Sequence, residues 1–442
     1  MQPKGVATLL PEATARQRYI EETLLSVFRQ WGYQEVIPPL FEYLDVISLG
    51  LGEDMIERAY KFVDRGSGRL MLLRPDVTPQ IARMSAMLMA DAPKPLRLCY
   101  RANVFRHEEE HAGRAREVFQ IGGELIGPPG PEADAEVIAI AIESLRRLGL
   151  TDFKAVLGHN EFFKGLLNSL NLPMEIQRRI KTAVARKDLS RLEEILKSSS
   201  VPRHRAQALL AMPRLFGREE VLRRAGALSE ASGCKAALAR LQAVYQILKS
   251  SGWGDCLMID LSELRGFDYY TGVVFEIFAK DLGHSVGRGG RYDQLIGKFG
   301  VPSPSTGFAF DVEHVQWAWQ QGESRRRVRL PSPEANGPAL TAADLLLVGL
   351  SPDPRRLFQV ARMLREKGLR VIQQSASGGG PITPGKAYEQ ARAMGIGSVA
   401  LLTAPDRVTW IDGKTGARRS LTLKAVLSAA SRKRKPGFSS EA

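Results

Sequence analysis

Apolar positions along the chain change period several times, and each change marks an element. Over residues 14 to 31, Tyr19, Ile20, Thr23, Leu24, Val27 and Phe28 recur at helical spacing and Gly32 stops the pattern, which predicts an opening amphipathic helix. Tyr33 to Ile37 is a short β-prone run closed by Pro38 and Pro39, which cannot continue a paired central strand without losing backbone donors. AYKFVDR and RLMLLRP, separated by Gly66-Ser67-Gly68, read as a hairpin, and Thr78 to Met89 as a helix. LRLCYRANVFR and REVFQIGGELIG flank a charged stretch from His107 to Arg116 and are expected to be two antiparallel strands joined by a long loop. Asp134 to Leu148 is a helix with Gly149 at its end.

From about Glu161 to Ser250 the texture shifts to Lys, Arg, Glu, Leu and Ala with few β-branched residues, which predicts an all-helical insert. Strand texture returns at DCLMIDLSEL, YYTGVVFEIF and SVGRGGRYDQLI, and Thr306 to Phe310 starts a strand that leads into a helix, so the first domain is interrupted and then resumed. Residues 321–340, rich in Arg, Pro, Gly and Ser, read as a linker. Beyond it ADLLLVGL, a helix from Asp353 to Lys367, RVIQQS, a helix from Pro384 to Met394, and SVALLT alternate as βαβαβ with a mostly parallel sheet. The expected division is a core over 1–320 with its insert at about 161–250, the linker, a small α/β domain over 341–425 and a basic flexible tail over 426–442.

Composition narrows the setting. The 442 residues are too many for one compact domain. Cys99, Cys234 and Cys256 are odd in number, far apart and without a CxxC pair, which disfavours a disulfide framework or a cysteine zinc site and implies a reducing, cytoplasmic location. The first twenty residues hold no signal-like apolar core, and no apolar run of about 18 residues suggests a membrane span. Lys plus Arg number 62 against 48 Asp plus Glu, and the resulting +14 favours an anionic partner, although much of the excess sits in Arg325–Arg329 and Arg432–Lys435.

Four clusters carry candidate chemistry. His107-Glu108-Glu109-Glu110-His111 matches H-E-x-x-H, but Gly113 and the preceding strand argue for a loop and Glu117 stands at the extended-motif position, so no metal is expected. In ELRGFDYYTGVVFE, Gly266 lets the backbone turn so that Arg265 can grip a small carboxylate, with Tyr269 and Tyr270 on opposite sides of a strand. GRGGRYDQLI lacks the context of a dinucleotide or P-loop motif, so its glycines are expected to allow close approach of a ligand or neighbouring strand. Finally, Arg106, Gln120 and Glu124 can share one face of a hairpin and offer a cation, an amide and a carboxylate to a zwitterionic ligand.

Taken in order, these pieces resemble the class II aminoacyl-tRNA synthetase core, and within it the histidyl branch, over about residues 5 to 320. GYQEVIPP with its preceding helix is similar to motif 1, YRANVFRHEEEHAGRAREVFQIGGE to motif 2, LRGFDYYTG and GGRYD to the two histidine signatures, and STGFAFDVEHV stands at motif 3. The resemblance implies an α+β fold: an antiparallel sheet flanked by helices, with the helical insert and a C-terminal α/β domain of the anticodon-binding kind. It also implies a histidine pocket. Asp76, Thr78 and Gln120 would hold the α-amino group, Arg265 the carboxylate, and Glu124 and Tyr270 the imidazole, with Arg106 and Tyr269 in the same site. Asp76 stands where synthetases of this branch usually carry the longer Glu.

The ATP half departs from the synthetase pattern. His314 follows Glu313 where motif 3 has an arginine, and Asp311 occupies a position that is usually glycine, so a forked cation is lost and a negative charge gained near polyphosphate. Histidine binding kept and adenylation lost resembles the ATP phosphoribosyltransferase regulatory subunit family, as do LRPDVTPQIARM, ARKDLSRLEEIL and MPRLFGREEVLRRA. That resemblance implies no catalysis by this chain and no cofactor. Its expected partners are the short-form catalytic subunit, histidine as an inhibitory ligand, and a second copy through the motif 1-like segment. Because residues 341 to 425 resemble an anticodon-binding domain, the alternative is a divergent histidyl-tRNA synthetase; an RNA-binding or sensory protein that reuses the pocket is a third reading.

Overall fold

Pro11 opens the first helix because its missing N–H falls where no helical partner exists, and Gly32 closes it at φ 79°, a conformation costly to any side chain. This helix, α1 (Pro11–Gln30), buries Ile20, Leu24, Val27 and Phe28, as its periodicity predicts. In the computed structural model, residues 3–107, 115–168, 170–199, 201–228, 232–262, 269–323, 343–350, 354–375, 382–413 and 415–431 are described. After α1 come β1 (Gln34–Glu35), β2 (Phe41–Tyr43), α2 (Leu44–Ile47), α3 (Glu53–Glu57), the hairpin β3 (Lys61–Val63) and β4 (Leu70–Leu73), and α4 (Thr78–Leu88). The long antiparallel pair β5 (Leu96–Phe105) and β6 (Glu117–Ile126) leads to α5 (Pro131–Arg147), which is buried along nearly its whole length, and to β7 (Phe153–His159).

The insert contains α6 (Asn160–Asn168), α7 (Met174–Ala185), α8 (Leu189–Ser198), α9 (Arg203–Ala211), β8 (Phe216–Gly217), α10 (Glu220–Gly226) and α11 (Ser232–Leu248). It is therefore not all-helical: β8 pairs antiparallel with β9 (Leu257–Asp260), a two-residue contact too short to register in composition. The core closes with β10 (Val273–Ala279), β11 (Ser285–Arg291), β12 (Ser305–Asp311) and α12 (Val312–Glu323).

Nine strands form one sheet in the order β1-β5-β6-β12-β11-β10-β7-β9-β8. Interior neighbours from β5 to β7 are antiparallel, whereas β1 on β5 and β7 on β9 are parallel. Register fixes two faces. Leu98 pairs with Glu124, Ala102 with Gln120, Gly307 with Glu124, and Asp311 with Gln120, so these residues share one face. Arg97, Cys99, Ile121 and Leu125 alternate onto the other, where Cys99, Ile121 and Leu125 join the apolar core with α1, α5 and α11. β11 is a well-paired strand despite its glycines, because its neighbours approach so closely: a Cβ on Gly289 would lie 2.3 Å from the Gly307 carbonyl oxygen.

The C-terminal unit contains β13 (Leu345–Gly349), α13 (Arg355–Glu366), β14 (Val371–Ser375), α14 (Pro384–Ala393), β15 (Ser398–Ala404), β16 (Arg407–Asp412), β17 (Arg418–Thr422) and α15 (Leu423–Ser431). The expected βαβαβ alternation gives the parallel trio β14-β13-β15. Two antiparallel strands that periodicity did not assign extend it, through a turn in which Asp412 accepts from the Thr415 amide at 2.8 Å.

This unit docks on the core through buried polar contacts. The Arg365 guanidinium lies 3.2 Å above the Trp31 ring and donates to the Val371 carbonyl at 2.6 Å. Arg97 forks onto Glu136 at 2.8 and 3.0 Å and also reaches the Gln373 carbonyl at 2.8 Å. Gln359 donates to the Ser250 carbonyl at 2.9 Å.

Candidate functional site: a buried polar pocket on the open face of the sheet

Glycines on the open face make room for the polar groups. A Cβ on Gly307 would fall 1.6 Å from Oε2 of Glu124, one on Gly122 would lie 2.6 Å from the Tyr100 hydroxyl, and one on Gly290 would crowd the Tyr270 ring at 3.1 Å. Bare backbone at these three positions lets a fully buried carboxylate and two phenols lie flat against the strands. Tyr292 completes the layer. In GGRYD the side chains alternate: Arg291 turns inward, where its Nε donates to Asp134 at 2.8 Å and its Nη1 to Asp293 at 2.9 Å, while the Tyr292 hydroxyl donates to Oε2 of Glu124.

Above this layer lies a small cavity of about 40 Å³ lined by Asp76, Thr78, Arg106, Gln120, Tyr269, Tyr270, Arg288, Asp311 and their neighbours. Thr78, at the start of α4, donates to Oε1 of Glu124 at 2.7 Å, so its hydroxyl orients the carboxyl beneath the cavity. Tyr269 donates to Oδ2 of Asp76 at 2.7 Å, and Arg106 anchors its Nε on the Pro75 carbonyl at 2.8 Å. Gln120 keeps a buried Oε1 without a protein partner, an acceptor available to a ligand.

Burial dominates the electrostatics. Desolvation raises the Glu124 carboxyl to about 8, despite the Tyr292 and Thr78 hydrogen bonds and with the Asp76 charge adding to the rise. Desolvation likewise lifts Asp76 above the usual carboxylate range, against the pull of Arg106 and the Tyr269 hydroxyl. Buried Arg106 has its proton affinity lowered, chiefly by desolvation, with Arg288 acting in the same direction and Asp76 opposing it. The cavity thus holds carboxyl groups that gain from an incoming cation and cations that gain from an incoming anion, the complement of a zwitterion.

Of the residues singled out in the sequence, Asp76, Thr78, Arg106, Gln120, Tyr269, Tyr270 and Asp311 line this cavity, and Glu124 lies directly beneath. Arg265 lies outside the described residues, as does HEEEH beyond His107. The expectation for the tyrosine pair needs correcting. Tyr269 and Tyr270 precede β10 in irregular backbone, so strand alternation does not apply; their rings are 5.0 Å apart and both line the cavity. His314 does not line it: its Nδ1 lies 2.9 Å from the Ser285 carbonyl oxygen and 3.5 Å from Asp311. Tyr292, Tyr100 and Arg288 were not singled out. Tyr292 was legible only as part of GGRYD, and β-sheet register alone brings Arg288 to the open face.

Among the described residues no cluster of three or more His, Cys, Asp or Glu is arranged to hold a metal ion, and no helix is long and apolar enough to cross a membrane.

Residues 5–315 match the family described as histidyl-tRNA synthetase. The ATP phosphoribosyltransferase regulatory subunit of Syntrophotalea carbinolica is 40% identical over 368 residues, 83% of this chain and 83% of that protein. Its namesake from Moorella thermoacetica is 42% identical over 375 residues, 85% of this chain and 92% of that one. The crystal structure of an ATP phosphoribosyltransferase regulatory subunit/histidyl-tRNA synthetase from Bacillus halodurans superposes with a TM-score of 0.67 at 29% identity, covering 86% of this chain and 93% of that one. Histidyl-tRNA synthetase from Nostoc shares the fold over 98% of this chain with a TM-score of 0.63 at 21% identity. With the histidyl-tRNA synthetase fold established and identity near two-fifths over most of both chains, the protein belongs to the ATP phosphoribosyltransferase regulatory subunit family.

Proposed function

We propose that this chain is the non-catalytic regulatory subunit of an ATP phosphoribosyltransferase, required by the short-form catalytic subunit at the first step of histidine biosynthesis and a receptor for feedback histidine. Relatives bearing that name match over most of their length. The observation that carries the ligand assignment is the convergence of Asp76, Gln120 and the Thr78–Glu124–Tyr292 chain on one small cavity. In this reading Asp76 and Gln120 face the α-amino group, Thr78 and Tyr292 hold Glu124 toward the imidazole, and Tyr269, Tyr270 and Arg106 shape the rest. Arg265 supplies the grip on the carboxylate.

The adenylation half is degraded in this reading. Asp311 puts a carboxylate on the cavity wall, and the His314 imidazole, which does not itself line the cavity, is engaged with the carbonyl of the lining residue Ser285. Neither supplies the forked cation that phosphoryl chemistry needs. Self-association through the proline-closed segment is supported by exposed apolar side chains there and on the adjoining three-stranded sheet: Ile37 is 88% exposed, Val63 61% and Phe41 48%.

The test has two arms. Purified protein added to a short-form catalytic subunit is expected to raise phosphoribosyl transfer from a near-zero baseline, and absence of stimulation would count against the partner assignment. Histidine-dependent exchange of pyrophosphate into ATP is expected to be absent while histidine still binds; clear exchange would make the chain a divergent histidyl-tRNA synthetase instead.

A further inference from the structure

Between the core and the C-terminal unit lies a second cavity, of about 260 Å³, on the helix side of the sheet. It is separate from the polar pocket: Arg97 and Leu125 form its core-side wall, whereas their chain neighbours Leu98 and Glu124 face the other way. Leu125, Leu357 and Phe358 give it an apolar body, and Lys94 stands at its edge with Nζ 3.1 Å from the Ser303 hydroxyl.

Two lining groups are built for a ligand. The Arg97 side chain is 3% exposed and three of its hydrogen bonds are fixed, two on Glu136 and one on the Gln373 carbonyl, yet Nη1 is buried with no partner. Next along β14, Gln374 likewise buries an unpartnered Oε1. A buried guanidinium nitrogen and a buried amide oxygen left empty are each costly, and their coincidence in one void of this size is not a packing accident. A dry apolar void would carry no such groups. Arg97 is already neutralised by Glu136, so the wall does not carry the excess positive charge that a phosphate dianion demands.

We propose that this cavity is a second ligand site, for a small monocarboxylate with an apolar body and a donor group, an apolar α-amino acid being the simplest case. The carboxylate takes Arg97 Nη1 with Lys94, the donor takes Gln374 Oε1, and the apolar body fills the space beside Leu125, Leu357 and Phe358. Because Arg97 belongs to the core and Gln374 to the C-terminal unit, such a ligand bridges the two and favours their docked arrangement. The inference does not rest on the regulatory reading of the polar pocket.

The full-length chain, saturated with histidine, is titrated calorimetrically with L-phenylalanine, phenylacetate and L-phenylalaninamide. L-Phenylalanine is expected to bind at least tenfold more tightly than the amide, which lacks the carboxylate. Gln374→Met, at a half-buried position with no other side-chain bond, should weaken L-phenylalanine at least fivefold and change phenylacetate less than twofold. Arg97→Met strips buried Glu136 of its partner and would confound folding with binding, so Leu357→Trp is used to fill the cavity and should abolish binding of both acids. The proposal is overturned if neither acid binds, if the amide binds as tightly as the acid, or if Leu357→Trp leaves binding unchanged. L-Phenylalanine binding that occurs only when histidine is left out would also overturn it, by assigning the ligand to the polar pocket.

Discussion

A Cβ on Gly307 would stand 1.6 Å from Oε2 of Glu124, so the strand β12 and the buried carboxyl occupy one volume only because position 307 has no side chain. Gly307→Ala must therefore push Glu124 off its Thr78 and Tyr292 partners. We expect a stability loss of about 1–3 kcal/mol from overpacking and at least a tenfold loss of histidine affinity, read by thermal unfolding and calorimetry. Unchanged affinity would detach Glu124 from the ligand.

If histidine is the ligand of the polar pocket, Glu124 should make its binding sensitive to pH. Its carboxyl titrates at about 8 in the folded chain against 4.5 unperturbed, so near neutrality it holds its proton. Between those two values the folded state binds more protons than the unfolded one. Its contribution to stability is thus undiminished below 4.5, falls as pH rises toward about 8, and is constant beyond. A ring N–H presented to Glu124 favours the ionised form, so binding near pH 7 should release a proton. Calorimetry in buffers of different ionisation enthalpy measures this, and Glu124→Gln should abolish the release.

Asp134 is fully buried and is shared by Arg291 at 2.8 Å and Arg240 at 2.9 Å. Asp134→Ala leaves Arg291 buried without its main partner, and the expected loss is about 3–5 kcal/mol. Denaturant unfolding would measure it. A loss below about 1 kcal/mol would mean that Asp293 alone suffices to hold Arg291.

Gly32 matters twice, for its φ of 79° and because a Cβ there would lie 2.1 Å from Cγ1 of Ile372 in the C-terminal unit. Gly32→Ala should loosen docking. The readouts are faster proteolysis between the units and a changed emission from Trp31, over which Arg365 is stacked. An unaltered cleavage pattern would indicate that the contact yields without cost.

If the proline-closed face is a self-association surface, Ile37→Glu with Phe41→Glu should shift the chain to monomer in sedimentation while leaving the fold intact. Both residues are exposed, so core packing does not oppose the change.

What was legible in the sequence follows from local periodicity. Helical spacing marks α1, α4 and α5, and the β-rich runs mark β5, β6, β10 and β12, because burial on one face leaves a period that depends only on neighbours a few residues away. The even spacing of Gln120 and Glu124 likewise places them on one face of β6. Other features are decided by residues far apart in the chain. The two-residue pairing of β8 with β9 and the inward turn of both Tyr269 and Tyr270 depend on which strands approach and how closely. The same holds for Tyr292 reaching Glu124 across 168 residues, and for Arg97 meeting Gln373 across 276. Sequence determined which groups the chain carries and the faces they occupy within each element. Tertiary structure alone decided which faces meet, because desolvation and hydrogen-bond geometry arise only when distant elements close over the same volume.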